Sequence, residues 1–172
     1  MIIKQLECIG NGFVKLHETL AVAEYGTGGK LQQQLSLSPN SKLFFHGGLT
    51  ANVPKQLNRI MNISHSDVAM NEAVTLDVAK KMALHVSGFF DSEWGIGITA
   101  FYTPTLSRKM GELYAYYAVS RNNKFVILNK IQPQLGNTER IQTHYTEIVL
   151  KHIQFFIASG MKIEEHMVPQ VF

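Results

Sequence analysis

The alternation of strand-like and helix-like segments is the feature that most restricts the fold of this chain. Short apolar runs predict strands, whereas longer segments with apolar residues every three or four positions predict helices. Strands are expected at 20–23, 43–51 and 93–102. Helices are expected at 27–37, 54–60, 75–86 and 137–156. Such alternation is typical of a sheet with helices packed on both faces.

Two β-rich runs late in the chain, 112–120 and 124–130, are separated only by the polar sequence "RNN". A connection this short predicts a β-hairpin, in which the two strands are antiparallel. Strands that are joined through helices are instead parallel. The sequence therefore predicts an α/β fold, a three-layer α/β/α sandwich with a mixed sheet of about five strands.

The length and composition predict a single domain that spans residues 1–172. With 45% hydrophobic and 17% charged residues, the chain can bury one sizeable core. Its 16 basic and 13 acidic residues leave a net charge of +3 and are scattered, so no nucleic-acid partner is predicted. No apolar run approaches the roughly 18 residues of a membrane-spanning helix, so no membrane partner is predicted either.

The cysteine and histidine content excludes two further classes. Cys8 is the single cysteine, which rules out an internal disulfide and fits a reducing compartment. Because no secretory leader is recognisable, a cytoplasmic location is expected. The seven histidines show no repeated ligand spacing, so no metal and no other cofactor is predicted. Serine elbows, zinc-binding helices and Walker loops are also missing from the sequence.

The segment "AEYGTGG", residues 23–29, connects the first predicted strand to the helix that follows it. A glycine-rich turn at this place can hold an anion on backbone amides or present a nucleophile. Tyr25 is an unusual residue for such a turn. The structural alternative is that Gly28 and Gly29 allow a tight turn and that Thr27 caps the helix.

Six segments in a fixed order resemble the motifs of one protein family. They are "AEYGTGG" at 23–29, "TANVPK" at 50–55, "AVTLDVAKKMA" at 73–83, "GITAF" at 97–101, "RKMG" at 108–111 and "GNTER" at 136–140. In this order they resemble the C-terminal domain of the CinA proteins, which includes the nicotinamide-nucleotide amidohydrolases. The resemblance covers about residues 16–156, and it implies an α/β domain with its pocket at the strand ends.

The resemblance also implies which residues would perform catalysis. In the amidases the serine of A-E-S-C-T-G-G is the nucleophile, and a lysine in the next motif acts as its base. Lys55 stands at the lysine position, but Tyr25 stands at the serine position. The ligand-binding positions that the resemblance implies are Glu24, Thr27, Gly28, Gly29, Asn52, Gly97, Ala100, Phe101 and Thr138.

The chain departs from the family pattern at three places, the nucleophile, the phosphate-facing loop and the phosphate-pairing arginine. Tyr25 replaces the nucleophile, and its phenol oxygen lies several bond lengths farther from the backbone than a serine hydroxyl. Ala100 and Phe101 replace the small residue and proline of a phosphate-facing loop. Thr138 replaces an arginine that could pair with phosphate. The remaining positions also allow a structural reading, with Asn52 as a turn residue and Lys55 as a solvated lysine.

Two functions follow as expectations. The first is a CinA-like protein with a degenerate amidohydrolase site, which binds a small nucleotide-like ligand and associates with copies of itself as a homodimer or larger assembly. The alternative is an active hydrolase of nicotinamide mononucleotide or a related amide, with Thr27, Tyr25 or a water in place of the serine. A weaker third option is another small-molecule enzyme that uses the same cleft.

Overall fold

The computed structural model describes residues 2–104, 112–133 and 136–160. Its helices are α1 (Ile2–Leu16), α2 (Lys30–Ser36), α3 (Ser41–Phe44), α4 (Pro54–Met61), α5 (His65–Ala69), α6 (Leu76–Phe89) and α7 (Thr138–Ala158), with a 3-10 turn at Met70–Ala73. Its strands are β1 (Leu20–Tyr25), β2 (Phe45–Ala51), β3 (Trp94–Ala100), β4 (Ala115–Arg121) and β5 (Lys124–Ile131).

These strands form one mixed sheet in the order β2-β1-β3-β4-β5. β1 is parallel to both β2 and β3, whereas β4 is antiparallel to β3 and to β5. Asn122 and Asn123 connect β4 to β5 with φ angles of 48° and 61°. Asparagine tolerates this left-handed backbone, which matches the twist of a two-residue hairpin. The predicted hairpin and mixed sheet are confirmed.

Helices cover both faces of the sheet. On one face, Gly95 and Gly97 let the backbone of α6 lie directly on β3, where a Cβ at Gly97 would stand 2.2 Å from the Ala79 carbonyl oxygen. On the other face, Phe13 of α1 and Phe156 of α7 pack edge-on against Trp94, with ring centroids 5.3 and 5.9 Å apart. The three-layer α/β/α sandwich is therefore confirmed.

The first helix was not among the predicted elements, although its apolar residues carry a clear signal. Leu6, Ile9 and Phe13 lie on one face of α1 and are fully or almost fully buried. Their spacing of three and four residues is that of an amphipathic helix. The short helices α3 and α5 fall in segments that the sequence indicates only as strand or turn, because helices of four or five residues leave little periodic pattern.

Candidate functional site

The candidate site lies where the three parallel strands end. Tyr25 is the last residue of β1, and it pairs with Ala51 of β2 and Thr99 of β3. Because parallel strands point the same way, the turns that follow them meet at this edge. The family resemblance implies a pocket at the strand ends, and Tyr25, Lys55 and Phe101 each terminate or follow one of these three strands.

The Tyr25 side chain is buried, with 8% of its surface exposed. Burial, followed by the nearby charge of Glu72 and the nearby Tyr102, raises the pKa of its phenol to about 12. The phenol is therefore protonated at neutral pH. Tyr25 fills space at the strand ends with an aromatic ring and a neutral hydroxyl.

Lys55 occupies the second position of α4, directly after Pro54. The lysine is exposed to solvent, as is Asn52 in the connection from β2. Among the residues that the structure describes, Lys55 makes no hydrogen bond or ion pair with Tyr25. The two residues at the implied nucleophile and base positions are thus not joined as a catalytic pair.

Glu24 is fully buried and caps helix α2 from the neighbouring strand. Its carboxylate accepts hydrogen bonds from the backbone amides of Leu31 and Gln32 at 3.2 and 2.8 Å. The Thr27 hydroxyl donates to the same carboxylate at 2.5 Å. The reading of Thr27 as the helix cap is wrong, because Gly29 is the N-cap residue and Glu24 supplies the acceptor.

The glycines make the turn between β1 and α2 possible. Gly26, Gly28 and Gly29 have φ angles of 89°, 66° and 82°, all in the left-handed region. At Gly26 a Cβ would also stand 2.2 Å from the Ala100 carbonyl oxygen. The side chain of Gln142 on α7 donates to the Gly26 carbonyl at 3.0 Å. The turn is therefore held between β3 and α7.

Aromatic side chains pack around the segment that follows β3. Phe101 is buried, and its ring meets Tyr114 edge-on at 5.3 Å. Its amide donates to the Tyr114 carbonyl, and its carbonyl accepts from the Tyr145 hydroxyl, both at 2.9 Å. Ala100 is also buried, whereas Gly97 lies inside β3 against α6. The "RKMG" motif at 108–111 lies outside the described residues.

Thr138 begins α7 near the same strand ends. Its hydroxyl lies 3.2 Å from that of Thr103, which follows β3. The cap of α7 is Asn137, whose side chain accepts from the Arg140 amide at 2.9 Å. Thr138 is exposed and uncharged, so the position of the family arginine carries a hydroxyl and no cation.

Four residues near the site were not predicted from the sequence. Gln142 and Tyr145 are three residues apart on α7, and this spacing could have placed them on one face directed at the strand ends. Glu72 and Tyr102 lie close enough to Tyr25 to affect its phenol. No family motif includes either residue, since Glu72 lies in the 3-10 turn at Met70–Ala73 and Tyr102 follows β3.

A groove between α1, α2 and α7 includes none of the predicted site residues; it is lined by Gln5, Lys30, Gln33, Gln34, Thr143, Thr146, Glu147 and Leu150. Within the described ranges, no three His, Cys, Asp or Glu side chains are grouped as metal ligands would be. In the same ranges, no helix is long and apolar enough to cross a membrane.

This architecture defines a class of α/β/α sandwiches with a glycine-rich turn at the ends of parallel strands. The family model of the CinA C-terminal domain matches residues 4–157. The chain therefore belongs to the CinA C-terminal domain family. The match begins inside α1, so the family resemblance extends over the helix that the sequence motifs left out.

Curated relatives agree with this assignment. A CinA-like protein of Gloeothece citriformis is 34% identical over 109 residues, which cover 62% of this chain and 26% of that protein. A CinA-like protein of Prochlorococcus marinus is 25% identical over 151 residues, covering 86% and 35% of the two chains. The chain thus spans about a quarter to a third of the length of the curated relatives that it matches.

Solved structures of the CinA superfamily share the fold. The protein from Enterobacter cloacae superposes with a TM-score of 0.82 at 18% identity, covering 91% of this chain and 92% of that one. The protein from Escherichia coli gives a TM-score of 0.80 at 19% identity, covering 92% and 90%. At this level of identity the comparison concerns the fold alone.

Proposed function

We propose that this member of the CinA family lacks nicotinamide-nucleotide amidase activity and uses the cleft at the strand ends to bind a small nucleotide-like ligand. The observation that carries the proposal is the buried, protonated Tyr25 at the implied nucleophile position. With the phenol pKa at about 12, only about one molecule in 10⁵ carries the phenolate at pH 7. A neutral phenol is a weak nucleophile. Once bonded to an acyl group, its oxygen is also a better leaving group than that of serine.

Two nearby threonine hydroxyls, those of Thr27 and Thr99, are not placed to act as a replacement nucleophile. Thr27 is fully buried and donates its hydrogen to Glu24. Thr99 is also fully buried, and its hydroxyl donates to the Ala73 carbonyl at 2.8 Å. A substrate carbonyl must approach within about 3–3.5 Å of the attacking oxygen, which buried hydroxyls do not allow.

The implied base and phosphate positions support the loss of amidase activity. A serine–lysine pair requires a desolvated amine beside the hydroxyl. Lys55 instead stands in solvent at the first turn of α4. Thr138 supplies no positive charge where the family arginine would pair with phosphate. Glu24 and Thr27, which match the family motif, stabilise the turn through their hydrogen bonds. This structural role does not require amidase activity.

Purified protein offered nicotinamide mononucleotide tests this proposal through two readouts. We expect no ammonia release above that of a blank. In the second readout, we expect calorimetry to detect reversible binding of nicotinamide mononucleotide. Turnover that is abolished in Lys55→Ala would contradict the proposal and favour the hydrolase alternative. Absence of both turnover and binding would contradict the ligand-binding part.

Self-association and location belong to the same proposal. Leu113, Tyr117 and Val119 lie inside the core, so they offer no surface to a second copy. Phe155 on α7 is 50% exposed, and it supports a homodimer or larger assembly together with the half-buried Phe125 and Val126. Light scattering that shows a monomer at micromolar concentration would contradict this part.

A cytoplasmic location and the lack of a nucleic-acid partner are likewise proposed from composition.

A further inference from the structure

A chain of hydrogen bonds connects strand β5 to helix α7 through the interior of the sandwich. Tyr117 of β4 pairs directly with Asn129 of β5 in the antiparallel register. The Tyr117 hydroxyl is hydrogen-bonded to Nδ1 of His152 on α7, and the two rings are stacked with their centroids 6.0 Å apart. Tyr117 is fully buried, and His152 is half-buried. None of these three residues lies in a family motif.

The direction of each bond in this chain is fixed. The side-chain oxygen of Asn129 accepts from the Lys130 backbone amide at 2.8 Å. The nitrogen of the same side chain donates to the Tyr117 oxygen. Burial raises the pKa of the Tyr117 phenol, so the phenol keeps its proton at neutral pH and donates it to His152. Nδ1 of His152 is therefore an acceptor and carries no proton.

Protonation of His152 at Nδ1 is incompatible with this arrangement. An imidazolium donates from both ring nitrogens, so the Tyr117 oxygen would have to accept from His152 as well as from Asn129. The phenol hydrogen would then have no acceptor in a fully buried place, which is costly. Turning the Asn129 side chain round would offer that acceptor only by giving up the bond from Lys130. The charged and neutral forms of His152 thus require different packing between α7 and the sheet.

The groups around His152 favour its neutral form. Burial lowers the pKa of His152 below its ordinary value of 6.5, and the charge of Lys151, its neighbour on α7, lowers it further. The sheet presents the Tyr117 phenol to the imidazole, with the Asn129 amide behind it. In the described part of the chain, none of the charged side chains on α1 and α2, which pack along α7, forms a hydrogen bond or ion pair with His152; they are Lys4, Glu7, Lys15 and Lys30.

The helix that carries His152 also holds the residues at the strand ends. Gln142 donates to the Gly26 carbonyl at 3.0 Å, and Tyr145 donates to the Phe101 carbonyl at 2.9 Å. One turn after His152, Phe156 packs edge-on against Trp94, with ring centroids 5.9 Å apart. Trp94 is the single tryptophan of the sequence. Its fluorescence therefore reports on how α7 packs against the sheet near His152.

We propose that His152 is a proton-sensitive attachment of α7 to the sheet, and that proton uptake at Nδ1 breaks its bond to Tyr117 and loosens the second half of the helix. Because the folded pKa of His152 is lowered, the detached imidazole binds a proton more readily than the attached one. The stability that this attachment contributes is therefore present above pH 6.5 and is lost as the pH falls through the lowered pKa. The inference goes beyond the proposed function and does not depend on a ligand.

The experiment compares wild type, His152→Gln and Tyr117→Phe at pH 7.5 and pH 5.5. Each protein is melted, its Trp94 emission is recorded, and an NMR titration follows the His152 ring in wild type. Glutamine can accept the Tyr117 hydrogen but takes up no proton in this range. Phenylalanine keeps the ring in the core and removes only the hydroxyl. The control is His144→Gln, because His144 lies two turns earlier on the same helix and takes no part in the chain of hydrogen bonds.

We expect the melting temperature of wild type to fall between pH 7.5 and pH 5.5 by about 2–4 °C more than that of His152→Gln, the shift that corresponds to loss of one such bond. Trp94 emission should move to longer wavelength at pH 5.5 in wild type and stay unchanged in His152→Gln. Tyr117→Phe should show a smaller shift than wild type in both measurements. His144→Gln should respond to pH as wild type does.

Three results would overturn the inference. The first is the same pH dependence in wild type and His152→Gln, and the second is the full wild-type shift in Tyr117→Phe, which also decides the question if His152→Gln does not fold. The third is an NMR titration in which His152 takes up its proton while Trp94 emission stays constant. None of these results involves ammonia release or ligand binding, so the proposed function stands or fails separately.

Discussion

Two turns at the same edge of the sheet use left-handed backbone in opposite ways. The turn after β1 places glycine at Gly26, Gly28 and Gly29, where the backbone would strain any other residue. The turn before α6 instead places Asn71, Glu72 and Ala73 in that conformation. The first turn is stabilised by its own sequence, whereas the second is imposed by its neighbours. This difference separates a turn whose residues suit its backbone from a turn that tertiary contacts hold in place.

The largest expected effect is on the scaffold turn. Glu24→Ala leaves two α2 amides and the Thr27 hydroxyl buried without their acceptor. We expect the free energy of unfolding to fall by about 3–4 kcal/mol, measured by urea denaturation. The matched control is Glu24→Gln, which keeps one acceptor oxygen and should lose less. Equal losses in both variants would show that the capping bonds are not the cause.

Alkaline pH should affect Tyr25, the residue that lies between the two turns. Its phenol has a pKa raised to about 12, whereas an unfolded tyrosine ionises near 10. Above pH 10 the unfolded state therefore loses its proton first, and stability falls as pH rises toward 12. The raised pKa of Tyr25 corresponds to about 2–3 kcal/mol in the free energy of unfolding, which is present below pH 10 and lost as the pH rises toward 12. The loss should be smaller in Tyr25→Phe, and identical alkaline profiles for the two proteins would refute the assignment.

Gly26→Ala should destabilise the scaffold turn through both strain and collision. The new Cβ would stand 2.2 Å from the Ala100 carbonyl oxygen at a φ of 89°. A loss of about 2 kcal/mol is expected in thermal or urea unfolding. Gly160→Ala provides the comparison, because its φ is 69° and nothing lies within 4 Å of its Cβ. If Gly160→Ala costs as much, collision with β3 contributes nothing.

The other turn should respond with the opposite sign. Glu72→Gly removes a Cβ from a left-handed position and is expected to raise the free energy of unfolding by about 1 kcal/mol. The same denaturation experiment measures it. A decrease would mean that Glu72 stabilises the fold, and the contrast between the two turns would then disappear.

Much of the fold was predictable because its signals are local. Apolar periodicity reveals β1, β3, α6 and α7, and the asparagine pair after β4 indicates the hairpin turn. Helix α1 carries an equally local signal in the spacing of Leu6, Ile9 and Phe13, although it was not among the predicted elements.

The site was less predictable because its contacts join distant segments. The Glu24–Thr27 bond spans three residues, yet its partner amides follow seven and eight residues after Glu24. The turn at Glu72 is fixed by Thr99 and Tyr114, which are far away along the chain. A left-handed glutamate has no signature in sequence, since only tertiary contacts hold it there.

The central claim is that Tyr25 has replaced the amidase nucleophile and that no other group has assumed its role. Ammonia release from nicotinamide mononucleotide tests it most directly. The assay compares wild type, Tyr25→Ser and the double variant Tyr25→Ser/Thr138→Arg, and each is measured next to Lys55→Ala. We expect no release by wild type and little by Tyr25→Ser alone, because Thr138 still supplies no partner for phosphate. Robust release by wild type that disappears in Lys55→Ala would contradict the account.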